Sequence, residues 1–322
     1  MAPSRSSGTA ARIGVLETFG LRPLPVRARE AWLALRGDGT VPPTKFGVSS
    51  LGIFHPRLSV STWLGARRSD GRIPISNLFN RTQTPIEAGW SVKKTQVRDF
   101  RGKTLTYDSH NGTDFAVPVG TVVTSPAPGR VLRVSSEFNR GGLKVFIDHG
   151  RGLVTTSNHL ARALVRPGDR VERGTPVALS GYSGLDGLVA FPWSVPHVHF
   201  NAWLDGAHVD PFAAPGETSL WFGETEPRCA HPDDPSGGET ETAWDERRVA
   251  EAIDACVDPE VAAELRAEPD LARRAMNVLF MRNYYPTRFS ARPPLYAETH
   301  ARAPWLTLPF RAEDFVGVTY PD

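Results

Sequence analysis

Five of the residues that can hold a metal ion or move protons at neutral pH are brought together by motif between positions 110 and 199: His110, Asp114, His159, His197 and His199. The run His197-Val-His-Phe-Asn-Ala-Trp-Leu204 alternates strictly. As a strand it places His197, His199, Asn201 and Trp203 on one face and Val198, Phe200, Ala202 and Leu204 on the other. The apolar set can face a core while two imidazoles, about 7 Å apart along the strand, point together into a groove. At that spacing they can share a metal, or one can ligate while the other handles protons.

His110-Asn-Gly-Thr-Asp114 has the i,i+4 spacing of a helical pair. Asn111-Gly112 argues instead for a turn with positive φ, followed by a strand over 113–117. Such a turn lets His110 and Asp114 converge. Together with one histidine of the His-x-His they give three nitrogen and oxygen ligands, a set that zinc accepts while leaving a position for water. Zinc so held lowers the pKa of its water and polarises a carbonyl, which is the chemistry of peptide hydrolysis. His159 and the remaining strand histidine are available to take the water proton or stabilise the oxyanion. No His-Glu-x-x-His is present, so a glutamate base on a helix is not the design. His55, His149, His208, His231 and His300 are read as structural or exposed.

The elements that must position these residues change character along the chain. Residues 1–12 read as a disordered tail and 27–36 as a short helix closed by Gly37-Asp38-Gly39. From about 95 to 213, short β-prone runs at 120–124, 130–134, 144–148 and 153–156 alternate with turn pairs such as Pro128-Gly129 and Gly141-Gly142. That density predicts a mainly β fold, an antiparallel sheet of sandwich or barrel-like form. Residues 214–243, rich in Gly, Pro, Glu and Thr, read as a linker or long loop. Asp245, Asp258 and Asp270 then each open a helix, and in the third Leu271, Ala275, Val278, Leu279 and Arg282 mark one face. The expected organisation is an N-terminal extension (1–94), a catalytic β domain (95–213), the linker, and an α-helical C-terminal region (244–322) whose Pro-rich end packs back on the body.

Composition excludes several classes. With 322 residues, 40% hydrophobic and 22% charged, the chain can build a core. A net charge of +2 gives no basis for nucleic-acid binding. Two cysteines, Cys229 and Cys256, with no CxxC, exclude a cysteine zinc site; they can pair or stay as free thiols, the latter expected. No apolar stretch approaches the roughly 18–20 residues of a membrane span, and residues 1–27 lack the apolar core of a secretory signal.

At these motifs the sequence resembles the lysostaphin-type (LytM-like) zinc metallopeptidases that cut peptidoglycan. The likeness runs from Tyr107 to Phe212, about a third of the chain. It includes Gly112-Thr-Asp-Phe-Ala-Val-Pro-Val-Gly-Thr-Val-Val-Thr-Ser-Pro-Ala-Pro-Gly-Arg-Val131, Val145-Phe-Ile-Asp-His-Gly150, Arg166-Pro-Gly-Asp-Arg-Val171, Gly181-Tyr-Ser-Gly184, Pro196-His-Val-His-Phe200 and Val209-Asp-Pro211. The resemblance implies that His110, Asp114 and His199 ligate one Zn2+, that His159 and His197 are catalytic, and that the substrate is a peptide of peptidoglycan stems or cross-bridges. This sequence departs from the family pattern at Ser157, where a Tyr is usual, and at Asn201, where Glu is common. The loop from Leu185 to Pro196 is longer and more apolar, with Leu188, Val189, Phe191 and Trp193. Ser157, Asn201 and Trp193 are therefore expected along the substrate groove. Two other readings compete: a non-catalytic activator or binding module of wall hydrolases, and a histidine phosphocarrier, which would not need Asp114.

Overall fold

Turn-forming residues cut the middle of the chain into strands that fold back on one another. The computed structural model describes residues 13–236 and 241–321, so the tail expected over 1–12 lies outside the described residues. Helices Val15–Thr18 (α1), Leu24–Arg36 (α2) and Pro56–Trp63 (α3) precede the first strand, Arg72–Asn77 (β1). Then come Thr113–Ala116 (β2), Val122–Thr124 (β3), Gly129–Glu137 (β4), Gly142–Asp148 (β5), Leu153–Ala163 (β6), Arg170–Val171 (β7) and Pro176–Ser180 (β8). A short helix Leu185–Val189 (α4) leads to His197–Leu204 (β9) and Ala207–Val209 (β10). Helices Glu246–Asp254 (α5), Pro259–Ala267 (α6) and Leu271–Tyr284 (α7) follow, and Gly317–Thr319 (β11) closes the order.

Among the described residues these strands make one sheet in the order β11-β1-β2-β9-β6-β5-β4-β7, with β10 on β9 and β3 joined through β8 to β6. The fold is mainly β with a helical C-terminal part, as the turn density predicts. Its pairing is antiparallel except at one edge, where β11 lies parallel to β1. The register matters more than the order. β9 runs between β2 and β6, so Asp114 and Asn158 both stand opposite His199. Pairing alone thus carries the 110–114 motif and the 158–159 motif to the His-x-His.

Two apolar cores hold this sheet. Alternation along β9 sends Val198, Phe200 and Ala202 into the first core, beside Phe115 of β2 and Ile73 and Ile75 of β1. Trp203, on the other face, enters the second core with Phe146 and Val154 and with Val278, Leu279 and Phe280 of α7. The three C-terminal helices start where their aspartates cap them: Asp245 accepts from the Arg248 N–H, Asp258 from Glu260 and Val261, and Asp270 from Arg273. Each such cap is worth about 1 kcal/mol.

Phe280 is the centre of the second core. It stacks on Tyr284 at 4.8 Å, meets Phe146 edge-on at 5.8 Å, and lies under the Arg133 guanidinium at 4.2 Å. Phe280→Ala is expected to lower the unfolding free energy by about 3–5 kcal/mol, measured by urea denaturation. A loss below about 1 kcal/mol would show that the helices do not fold cooperatively with the sheet.

Local differences from the sequence reading have physical causes. The first long helix begins at Leu24 rather than 27, because Pro25 suits its first turn. The strand expected at 120–124 starts at Val122, since Gly120 sits at φ +89° in the preceding turn. β6 runs past 156 to Ala163 and so carries His159. Asn111 and Gly112 do not take the positive φ expected of them. Gly112 is required by close approach instead: a Cβ there would stand 2.5 Å from the Phe200 carbonyl oxygen and 2.7 Å from His199 Nε2. The described part of 214–236 has no helix, yet Leu220 and Trp221 are buried in the first core with Leu306, Leu308 and Phe310 of the returning C-terminal segment. Both cysteines are free thiols.

Candidate metal centre

β2, the turn before it and β9 bring three ligand atoms to one point. Asp114 Oδ1 lies 2.7 Å from His199 Nδ1 and 3.0 Å from His110 Nε2, and the two imidazole nitrogens are 3.1 Å apart. Among the described residues this is the group of acidic and imidazole side chains that can hold a metal ion. Zinc–ligand bonds of about 2.0–2.1 Å in a tetrahedral arrangement separate ligand atoms by roughly 3.3 Å, so the three need open by about 0.2–0.6 Å. Donor chemistry and spacing both fit that ion.

The rings are held in the tautomers ligation needs. His110 Nδ1 donates to the Leu78 carbonyl at 2.6 Å, leaving the Nε2 lone pair for the shared point. His199 does the reverse: Nδ1 faces the point, and Nε2 donates to Asn111 Oδ1 at 3.2 Å. Asn201 Nδ2 donates to the Asn111 backbone oxygen at 2.8 Å, and Asn158 Nδ2 donates to Asn201 Oδ1 at 2.8 Å and to the His199 carbonyl at 2.9 Å. Asp114 Oδ2 accepts from Asn77 Nδ2 at 2.9 Å, which aims Oδ1 at the ligand point. Partners of this kind fix ring orientation and ligand basicity.

Electrostatics agree with a ligating state. Burial opposes the charge on Asp114, but its contacts with His110, His197 and His199 outweigh burial and hold the carboxyl well below the usual range. Burial pushes His199 down to about 4, against the pull of Asp114. A neutral imidazole beside a carboxylate is the protonation pattern a metal requires.

Two further imidazoles face the same centre. His197 Nδ1 donates to the Val195 carbonyl at 2.7 Å, and its Nε2 is 3.4 Å from Asp114 Oδ1. His159 Nδ1 donates to the Ser183 carbonyl at 2.8 Å, and its ring meets that of His197 at 4.8 Å. Burial, then the nearby His197 and His199, push the His159 pKa well below its ordinary value. With Nδ1 of each ring tied to a backbone carbonyl, Nε2 is the nitrogen of each that is left for proton exchange. His159 has φ +59°, a left-handed conformation inside a strand. That break in alternation lets Asn158 and His159, adjacent in sequence, both line one cavity of about 540 Å3.

The structure divides the expected groove residues. Asn201 is buried behind His199, and Ser157, opposite Phe200 in the register, is set on the face of the first core. Trp193 is 55% exposed and does not line the cavity. From the loop 185–196 it is Leu185, Asp186, Val189, Ala190, Ser194 and Val195 that do. α3 braces that loop: Ser59 donates to the Pro192 and Ser194 carbonyls at 2.6 and 2.7 Å. Sequence reading missed Asn77, Arg140 and Asp186. Only the Ile73-x-Ile75 alternation before Asn77 hinted at the strand that carries it. His149, expected to be structural, is enclosed between the Pro128 carbonyl and Thr155 Oγ1.

Fold and site together define a mainly β protein with a candidate metal centre of two imidazoles and a carboxylate. Residues 108–211 match the sequence model of peptidase family M23, and this part of the chain is an M23 domain. An uncharacterized metalloprotease of Haemophilus influenzae is 36% identical over 112 residues, 34% of this chain and 22% of that protein. The peptidoglycan DD-endopeptidase ShyA of Vibrio cholerae is 32% identical over 131 residues, 40% of this chain and 29% of its own length. The chain thus spans less than a third of either relative. The crystal structure of a zinc containing peptidase from Vibrio cholerae aligns at 30% identity over 42% of this chain and 35% of that chain, with a TM-score of 0.32. The murein hydrolase activator EnvC of Escherichia coli also matches, at 28% identity over 125 residues, 39% of this chain and 28% of its own length. No helix among the described residues is long and apolar enough to cross a membrane.

Proposed function

We propose that this chain is a zinc-dependent metalloendopeptidase that hydrolyses peptide bonds in peptidoglycan stem peptides or cross-bridges. In this reading residues 95–213 form the peptidase domain, and 1–94 and 244–322 flank it. The observation that carries it is the convergence of His110 Nε2, Asp114 Oδ1 and His199 Nδ1 within 3.1 Å, with two proton-accepting imidazoles beside them. The name of ShyA supports peptidoglycan as the substrate class.

His110, Asp114 and His199 would hold one Zn2+ per chain, and the chemistry such an ion supplies is activation of water at neutral pH and polarisation of a carbonyl. His159 and His197 handle protons. With Nδ1 of each tied to a backbone carbonyl, Nε2 takes a proton from the attacking water and returns it to the leaving amine. The ring that has taken the water proton carries an Nε2–H, which donates to the developing oxyanion before that proton passes to the leaving amine. All five residues are at most 8% exposed, which limits the competition of bulk water for these contacts.

The test is elemental analysis of the purified protein together with digestion of purified peptidoglycan sacculi. About one zinc per chain and release of cleaved muropeptides are expected. Zinc-supplied protein that binds no metal and releases nothing would overturn the reading and favour the activator or binding module.

A further inference from the structure

The turn between β4 and β5 carries a cation that the fold leaves unmatched. Among the described residues that line the cavity over the metal centre, Arg140 is the sole arginine or lysine. Neutral partners hold its guanidinium in place. Nε donates to the Tyr284 carbonyl at 3.2 Å, Nη1 donates to the Asn139 carbonyl at 2.9 Å, and the Tyr285 ring lies 5.4 Å away. Nη2 makes no hydrogen bond to a described residue. No carboxylate among the described residues is within ion-pair distance of Arg140. Glu137, the nearest acid in sequence, is already shared by Arg133 at 3.0 Å and Lys144 at 2.7 Å. Asn139 Nδ2, on the same turn and beside the same cavity, also has no partner, although this residue is only 9% exposed. Burial pulls the Arg140 pKa below its ordinary value. Donors drawn out of water in this way cost free energy that an anion would offset.

This turn abuts the chemistry. The Gly141 carbonyl accepts from the His159 N–H at 2.9 Å, and the Phe138 carbonyl accepts from the Leu185 N–H at 2.8 Å, where α4 begins. Asp186, the next residue of α4, lines the same cavity and is near enough to act on the Arg140 charge. An anion entering the cavity therefore meets a fixed guanidinium and, at longer range, one opposing carboxylate. The anion a peptide carries is a carboxylate, and the planar donors of a guanidinium match it.

We propose that Arg140, with Asn139 beside it, is a specificity-determining residue that binds a free carboxylate of the substrate near the bond that is cut. This rests on the peptidase reading and deepens it: stem peptides, which carry free carboxylates, are preferred over cross-bridges that lack them.

Binding can be read without turnover. Full-length His159→Asn protein, supplied with zinc, is titrated by calorimetry with a cross-linked muropeptide dimer and with the same dimer after its carboxylates are converted to amides. The acid form is expected to bind about tenfold more tightly or better. Zinc by itself also attracts carboxylates, so the decisive reading is how this preference changes on substitution. Adding Arg140→Gln should reduce it to about threefold or less. Adding Asp186→Asn instead should raise it by about twofold or more, because a repelling charge is removed. Unchanged thermal unfolding confirms that the fold is kept. If Arg140→Gln does not fold, Asp186→Asn decides, since Asp186 is exposed. Equal affinities for the two dimers, no measurable binding of the acid form, or a preference unchanged by either substitution would overturn the subsite. Hydrolysis by the wild type is scored separately. Cleavage of sacculi with a preference indifferent to Arg140 removes the subsite and leaves the peptidase standing; an Arg140-dependent preference in a protein that neither holds zinc nor cuts does the reverse.

Discussion

His199→Ala and Asp114→Ala are each expected to lose the bound zinc and to reduce hydrolysis by about 10³-fold or more, the several kcal/mol that a metal supplies to such a reaction. The expectation follows from how the ligand point is made. Asp114 Oδ1 is the atom nearest to both imidazole nitrogens, and its sequestered carboxylate has Asn77 as its other partner. Removing it leaves two buried imidazoles with no anion between them. Removing His199 leaves the Asp114 charge with one ligand fewer and undoes the Asn111 contact that orients the site. Asn77→Ala should sit between these and the wild type, with zinc affinity down about 10–100-fold, because it touches the ligand and not the metal. Metal content by mass spectrometry, zinc titration and muropeptide release give the ranking. Circular dichroism separates metal loss from unfolding. Hydrolysis retained by Asp114→Ala would remove Asp114 from the ligand set.

His159→Ala gives the second large effect and the opposite split: zinc stays near wild-type content while kcat falls by about 10²–10⁴-fold. Its ring lies 6.1 Å from that of His199 and 4.8 Å from that of His197, and its Nδ1 is committed to the Ser183 carbonyl, so it acts beside the ligand point rather than in it. The left-handed backbone at this position complicates an alanine, which disfavours φ of +59°. His159→Asn is the companion variant, since asparagine tolerates that region and lacks the imidazole. Both should keep zinc and lose turnover. Loss of zinc in both would make His159 a ligand, and turnover retained in both would place the proton transfer on His197 alone.

Much of this site was legible because its signals are local. The alternation of 197–204 sorts imidazoles from apolar residues by a period of two, and any strand with that pattern buries Val198 and Phe200. The three capping aspartates also act within four residues, and the helices begin beside them. Groove residues fared differently. Ser157 and Trp193 come from positions relative to a motif, whereas the cavity wall is assembled from segments more than a hundred residues apart, such as Phe46 and Val189. No period or spacing in the sequence connects these two.

Residue types and their local spacing determined the donor set, one carboxylate among imidazoles, and the strand that turns two of those imidazoles to the same side. The tertiary structure decided which donors meet. The pairing of β2 and β6 with β9 places Asp114 and Asn158 opposite His199, and Asn77 reaches the carboxylate from a strand 37 residues earlier. It also decided that His159 turns into the cavity through a left-handed residue and that the stretch 34–54 walls it. Local pattern fixes which face a side chain takes, since that depends on neighbours along one strand. Register, partner and enclosure depend on contacts between distant segments, and their energies are set only when the whole sheet and both cores form together.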